Sequence, residues 1–220
     1  MQLMKKQIYN KFDKHLIPEL PKVLFKGRMI VILSAGETES AVRYLLSHQI
    51  LGIDTETRPS FHKGMSFNVS LLQVSTNDTC FLFRLNHTGL TSSLIKLLED
   101  TTVPKIGLSL KDDFSMLTKR STFKPGLFID LQNEVKKIGV EDLSLQKLYA
   151  NFFGEKISKT QRLSNWEADI LTERQKRYAA TDAWACIKIY EEFKRLSLTS
   201  DFELVRIPEP EVVDIVKTEK

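Results

Sequence analysis

Apolar positions along this chain follow two spacings, and the change between them divides the sequence into elements. In "GETESAVRYLLSH", Gly36 to His48, residues Ala41, Leu45 and His48 share one helical face, with Val42 and Leu46 beside them. The runs "ILGIDTET", "VSLLQVST" and "TCFLFRL" are short and rich in β-branched or aromatic residues, and "NDT" joins the last two as a hairpin-like turn. "GRMIVIL" before them predicts a further short strand, at an edge. The second half alternates. "TSSLIKLLED", "LKDDFSMLTK" and "DLSLQKLYANFFG" predict helices, and "PKIGLS" and "GLFIDLQ" predict strands. Asp142 is the expected N-cap of the third helix and Gly154 its stop. A long helix is expected to start after "TE" and run through "RQKRYAATDAWACIKIYEEFKRL". Three antiparallel strands followed by parallel additions predict an α/β fold with a mixed sheet and helices on both faces.

Bulk properties narrow this only slightly. The 220 residues fit one domain with tails: a basic arm over 1–26, a domain over 27–198 and a tail over 199–220. The net charge of +4, from 32 basic and 28 acidic residues, neither requires nor opposes a nucleic-acid partner, because local patches decide. Cys80 and Cys186 lie in apolar runs and read as buried, reduced thiols. No run approaches the roughly 18 apolar residues of a membrane span, and the basic N-terminus lacks the apolar stretch of a signal peptide, so a cytoplasmic protein is expected.

The candidate chemistry lies in the carboxylates. Asp54 and Glu56 stand two apart on a predicted strand and so face one side, while Ile53 and Thr55 face the other. Such a pair sits either at a solvated strand end or around a cation that holds both groups ionised. In "KIGLSLKDDFSML", Asp112 and Asp113 fall where a strand ends and a helix begins; both are equally consistent with acids favoured by the helix dipole. In "RYAATDAW", Tyr178 and Asp182 are four apart and share a helix face. As a set, these acids offer oxygen-only ligation, which selects Mg²⁺ or Mn²⁺ rather than zinc, and none of the four histidines forms a ligand-spaced pair. Two such ions about 3.5–4 Å apart are the usual machinery of phosphodiester hydrolysis.

Taken in order, "GIDTET", "KIGLSLKDDFSML" and "YAATDAW" resemble the three motifs of the DEDD superfamily of 3′–5′ exonucleases. The tyrosine resembles that of the subclass containing ribonuclease D and the Werner-syndrome exonuclease domain. "LSLQKLYANFFGEKISKTQRLSNW" resembles the connecting segment of the ribonuclease D-like proteins, and the likeness covers roughly residues 28–197. The resemblance implies a ribonuclease H-like fold. It implies two divalent cations held by Asp54, Glu56, Asp113 (with Asp112 as the alternative) and Asp182, and Tyr178 orienting the attacking water. The implied substrate is the 3′ end of single-stranded DNA or RNA, released as nucleoside 5′-monophosphates.

Around this set, Lys156, Lys159 and Arg162 are candidates to meet phosphates, and Thr57, Phe61 and Leu110 are candidates to flank the terminal nucleotide; Trp166 is expected to pack under the final helix, with stacking on a base as the alternative. The segment from Arg58 to Phe67 is a candidate wall of the strand channel. Gln73 receives no role. The expected protein is a metal-dependent exonuclease that acts distributively on short single strands, or with the help of a protein partner. The alternatives are a non-catalytic module that grips a single strand or a partner, marked by a missing acid, and an endonuclease, marked by cleavage of a circular strand. No acid is missing.

Overall fold

A computed structural model of the chain describes residues 5–208, except 63 and 65. Its centre is a six-stranded sheet of β2 (Arg28–Ile32), β3 (Leu51–Thr57), β4 (Val69–Ser75), β5 (Thr79–Arg84), β6 (Lys105–Gly107) and β7 (Phe128–Asp130). The spatial order is β2-β5-β4-β3-β6-β7. β3, β4 and β5 form the expected antiparallel meander; β6 and β7 add in parallel beyond β3, and β2 pairs in parallel with β5 at the opposite edge. All seven residues of β4 are buried, as a central strand covered on both faces requires.

One face carries α1 (Ala35–Leu45), α3 (Ser92–Glu99) and α4 (Leu110–Thr118). Their apolar residues close a core with Ile53, Leu72, Val74 and Phe83. Between β5 and α3 lies a single turn, α2 (Leu85–Thr88), that the hydrophobic pattern does not predict. The other face carries α5 (Leu131–Val135), α6 (Leu145–Phe153) and the long α7 (Glu173–Thr199), which runs across β3, β4, β5 and β6. Thr172 and Gln175 form a capping box at the start of α7, and Gly154 ends α6 in the left-handed region at φ 64°.

The ends of the described chain dock on the domain, and one expected cap is corrected. In residues 5–26, β1 (Lys6–Tyr9) pairs in parallel with β8 (Phe202–Val205), and Ile8, Phe12, Ile17 and Phe25 are buried. Within the expected C-terminal tail, β8 thus belongs to a second, two-stranded sheet; residues 209–220 lie outside the described residues. Asp142 does not cap α6. Ser144 does, accepting from the Lys147 N–H, while buried Asp142 accepts from the Phe12 N–H at 2.8 Å and pairs with Lys147. A tertiary partner thus outcompetes the local one for that carboxylate. Among the described residues, no helix is long and apolar enough to cross a membrane.

Candidate active site

The site forms where β3 leaves the sheet beneath α7. Gly52 permits the close approach, since a Cβ there would lie 1.9 Å from the Ala183 carbonyl oxygen of α7. The pleat then carries Asp54 and Glu56 to the α7 side, as alternation requires. A register shift between Glu56 and Thr57 ends the regular pairing with β4 at this point. Asp182 descends from α7 to meet them. One carboxylate oxygen from each of Asp54, Glu56 and Asp182 lies within 4.8 Å of the others.

Asp113 arrives from the other face of the sheet, on the first turn of α4, and Asp112 beside it is exposed. Thr55, which the pleat turns toward α4, donates its hydroxyl to Asp113 Oδ1. The start of α4 is unusual: Ser109 has a left-handed φ of 61° and makes no cap with its own side chain. Instead Asp130, at the end of β7, accepts from the backbone N–H groups of Ser109 and Leu110 at 3.2 and 3.0 Å. A carboxylate from a neighbouring strand thus satisfies two helix-start donors and holds the turn that presents Asp113.

These acids share little solvent. Glu56 and Asp182 are buried, and Asp54 and Asp113 are partly so. Burial first, then the neighbouring charges of Asp113 and Asp182, pushes Asp54 well above the usual carboxylate range. Burial, with Asp54, Asp182 and Asp113 nearby, raises Glu56 to about 10, and Arg162 opposes the shift. Asp182 rises to about 7 through burial, against the favourable Tyr178 hydroxyl and Lys159 charge. Asp113 rises to about 6 through burial, against the Thr55 hydrogen bond. Tyr178, buried one turn before Asp182 and facing the same anions, is held protonated at any physiological pH.

The donor set fits a hard divalent cation. All ligating atoms are carboxylate oxygens, and Asp182 Oδ1 is buried with no hydrogen-bond partner among the described residues. A cation would satisfy that oxygen and reverse the repulsion that otherwise keeps protons on the cluster.

The remaining expected contacts divide. Lys159 and Arg162 line a small cleft of about 100 Å³ together with Tyr178 and Asp182. Thr57 is partly exposed at the end of β3, and Phe61 is 79% exposed in the following loop. That loop is tied to the segment before α7 by an Arg58–Glu167 ion pair at 3.2 Å. Three residues lie outside this cleft. Trp166 is fully buried, its ring 6.0 Å from that of Tyr178, and packs under the tyrosine. Leu110 is 4% exposed, lies against Gly107 and belongs to the core on that face of the sheet. Lys156 turns away and donates to the Pro18 carbonyl oxygen of the N-terminal segment.

Gln73 is the residue that sequence reasoning missed. It lies directly across from Asp54 in the β3–β4 ladder, is fully buried, and donates from Nε2 to Asp54 Oδ2 at 3.0 Å. The signal was its polarity in a buried strand, but its partner depended on a strand register that an 11-residue loop (58–68) leaves open.

Comparisons with known proteins converge on one description. A family profile described as 3′–5′ exonuclease matches residues 29–197. The chain is 30% identical over 192 residues to the bifunctional 3′–5′ exonuclease/ATP-dependent helicase WRN of Mus musculus, a match that takes in 82% of this chain and 14% of that protein. It is 29% identical over 202 residues to a 3′–5′ exonuclease of Arabidopsis thaliana, covering 80% of this chain and 67% of the other. The crystal structure of the Aedes aegypti Nibbler EXO domain superposes with a TM-score of 0.71 at 21% identity, over 80% of this chain and 91% of that one, and so shows the same fold.

Proposed function

The chain belongs to the 3′–5′ exonuclease family, and from that premise we propose that it hydrolyses phosphodiester bonds at the 3′ end of single-stranded DNA or RNA, releasing nucleoside 5′-monophosphates with divalent cations. The observation that supports this best is the meeting of Asp54, Glu56 and Asp182 within 4.8 Å, with Tyr178 one turn from Asp182.

In this reading Asp54, Glu56, Asp113 and Asp182 would hold the divalent cations, Mg²⁺ or Mn²⁺. When bound, such cations activate water as a nucleophile and neutralise charge on the leaving oxygen. The side chains do the rest. Tyr178, kept protonated by burial and its acidic neighbours, holds the attacking water by a hydrogen bond. Lys159 and Arg162, which line the same cleft as Asp182, bind the non-bridging phosphate oxygens. Water attacks phosphorus and loses a proton to solvent, the bond to the 3′ oxygen of the penultimate nucleotide breaks, and that oxygen takes a proton from solvent as the mononucleotide leaves. Thr55 keeps Asp113 in place, and Gln73 does the same for Asp54. Lys156 is assigned to the fold, not to the strand.

A single strand labelled at its 5′ end, offered as DNA and as RNA, tests the proposal. We expect a ladder that shortens one nucleotide at a time with Mg²⁺ or Mn²⁺, stops in EDTA, and vanishes for Asp182→Asn. Shortening from the 5′ end would contradict the polarity, and undiminished turnover by Asp182→Asn would remove the site.

A further inference from the structure

Beyond the catalytic cleft, a second concavity of about 510 Å³ lies between the N-terminal segment and the start of α7. Ser158 and Tyr178 line both spaces, so the two are neighbours on either side of the tyrosine. The walls of the larger groove carry Lys22, Arg174 and Arg177, and exposed Leu24 gives it an apolar lip. Its acidic lining residue, Glu173, is held by Lys176 one turn along α7. Lys22 and Arg174 are exposed, and among the described residues neither makes an ion pair. The groove is therefore cationic where it meets solvent.

Its shape does not depend on side-chain packing alone. The segment 21–25 is bolted to the domain through main-chain groups. Val23 N–H donates to the Lys156 carbonyl oxygen at 3.0 Å, and Lys156 N–H donates to that of Pro21 at 2.8 Å. Phe25 N–H donates to Thr181 Oγ1, and Arg177 donates to the Phe25 carbonyl oxygen at 2.8 Å, both from α7. The backbone that carries Lys22 is thus fixed beside the groove before any ligand arrives, which lowers the ordering cost of binding.

We propose that this groove binds the sugar–phosphate backbone of the strand on the 5′ side of the nucleotide being removed, with Lys22 and Arg174 contacting successive phosphates and Leu24 lying against a sugar or base. The proposal rests on the exonuclease reading for its direction. Its chemistry, a cationic groove for a flexible polyanion, stands on the groove itself. The N-terminal segment is then part of the substrate-binding surface and sets how strongly affinity rises with strand length.

The test is binding of a fluorescent single strand to the full chain in EDTA, where turnover is blocked, for wild type and for Lys22→Glu combined with Arg174→Glu. Both side chains are exposed, so the melting temperature should hold. We expect the double variant to bind a long strand several-fold more weakly. Its dependence of log affinity on log salt should be shallower by about 1.4, or about 0.7 for each phosphate no longer neutralised. Its defect should grow from dinucleotide to longer strands. Equal affinity and equal salt slope would overturn the groove, as would a defect of the same size at every length, which would point to product exit. Wild-type turnover, assayed separately with Mn²⁺, distinguishes the two ideas. A wild type that cleaves while the variant binds normally defeats only the groove. A wild type that binds through these residues and cleaves nothing defeats only the exonuclease reading.

Discussion

Asp54 sits in a contest between burial and charge. Its carboxylate faces two other acids, and the neutral donor it meets is the Gln73 amide at 3.0 Å. Gln73 is itself fully buried, and its Oε1 has no partner among the described residues. An amide in that position is costly unless its other end does something useful. Holding the aspartate in one rotamer is such a use. Replacing Gln73 with Leu preserves volume and removes the donor. We expect the Mn²⁺ concentration for half-maximal activity to rise by about 10- to 100-fold, the usual cost of losing a group that orients a metal ligand. An unchanged half-saturation would show that the amide only fills space.

At the scale of elements, the decisive contact is β3 against α7. The strand carries two of the acids and the helix carries the third and the tyrosine, so their separation is set by how closely the two backbones approach. Gly52 sets it: an added Cβ would meet the Ala183 carbonyl oxygen and carbon at 1.9 and 2.8 Å, backbone atoms that cannot rotate aside. Gly52→Ala should therefore push α7 outward. Overpacking of this kind costs about 1–3 kcal/mol, or roughly 3–10 °C in melting temperature for a domain of this size. Activity should fall by more than the loss of folded protein explains, because Asp182 moves with the helix. A variant with native melting and native turnover would show that the sheet yields instead. The same logic makes Asp130 an element-level residue: it ties the end of β7 to the start of α4 and so places Asp113 without touching it.

For the whole molecule, the cluster makes stability depend on pH in an unusual direction. Glu56 and Asp182 have folded-state values near 10 and 7, above the ordinary carboxylate values that an unfolded chain would show. Between those limits the folded protein binds more protons than the unfolded one, so stability falls as pH rises, by up to about 1.4 kcal/mol per pH unit for each proton in excess. In chelator, the melting temperature should decline from about pH 5 through pH 8. Mn²⁺ should raise it, and most at the alkaline end, since bound cations favour the ionised carboxylates. A flat profile in chelator, or no effect of Mn²⁺, would contradict a cation site at these residues.

The alternation of strands and helices, the antiparallel meander followed by parallel additions, and the three acidic motifs were all legible in the linear chain, because they depend on period-2 and period-3.6 patterning and on residue identity. Which acids share a space with Asp54 and Glu56 was implied only through resemblance. The neighbours that set their environment were not legible at all. Gln73 across from Asp54, Thr55 on Asp113, Asp130 at the start of α4, and the N-terminal segment paired with β8 are contacts between residues far apart in the chain or turned by pleat and register. Trp166 packs under the last helix, as its place before that helix leads one to expect, and Leu110 is drawn into the core as well. Local pattern determined the elements and the type of chemistry; burial and strand register, which are properties of the folded whole, decided which polar groups meet and how strongly each carboxylate holds its proton.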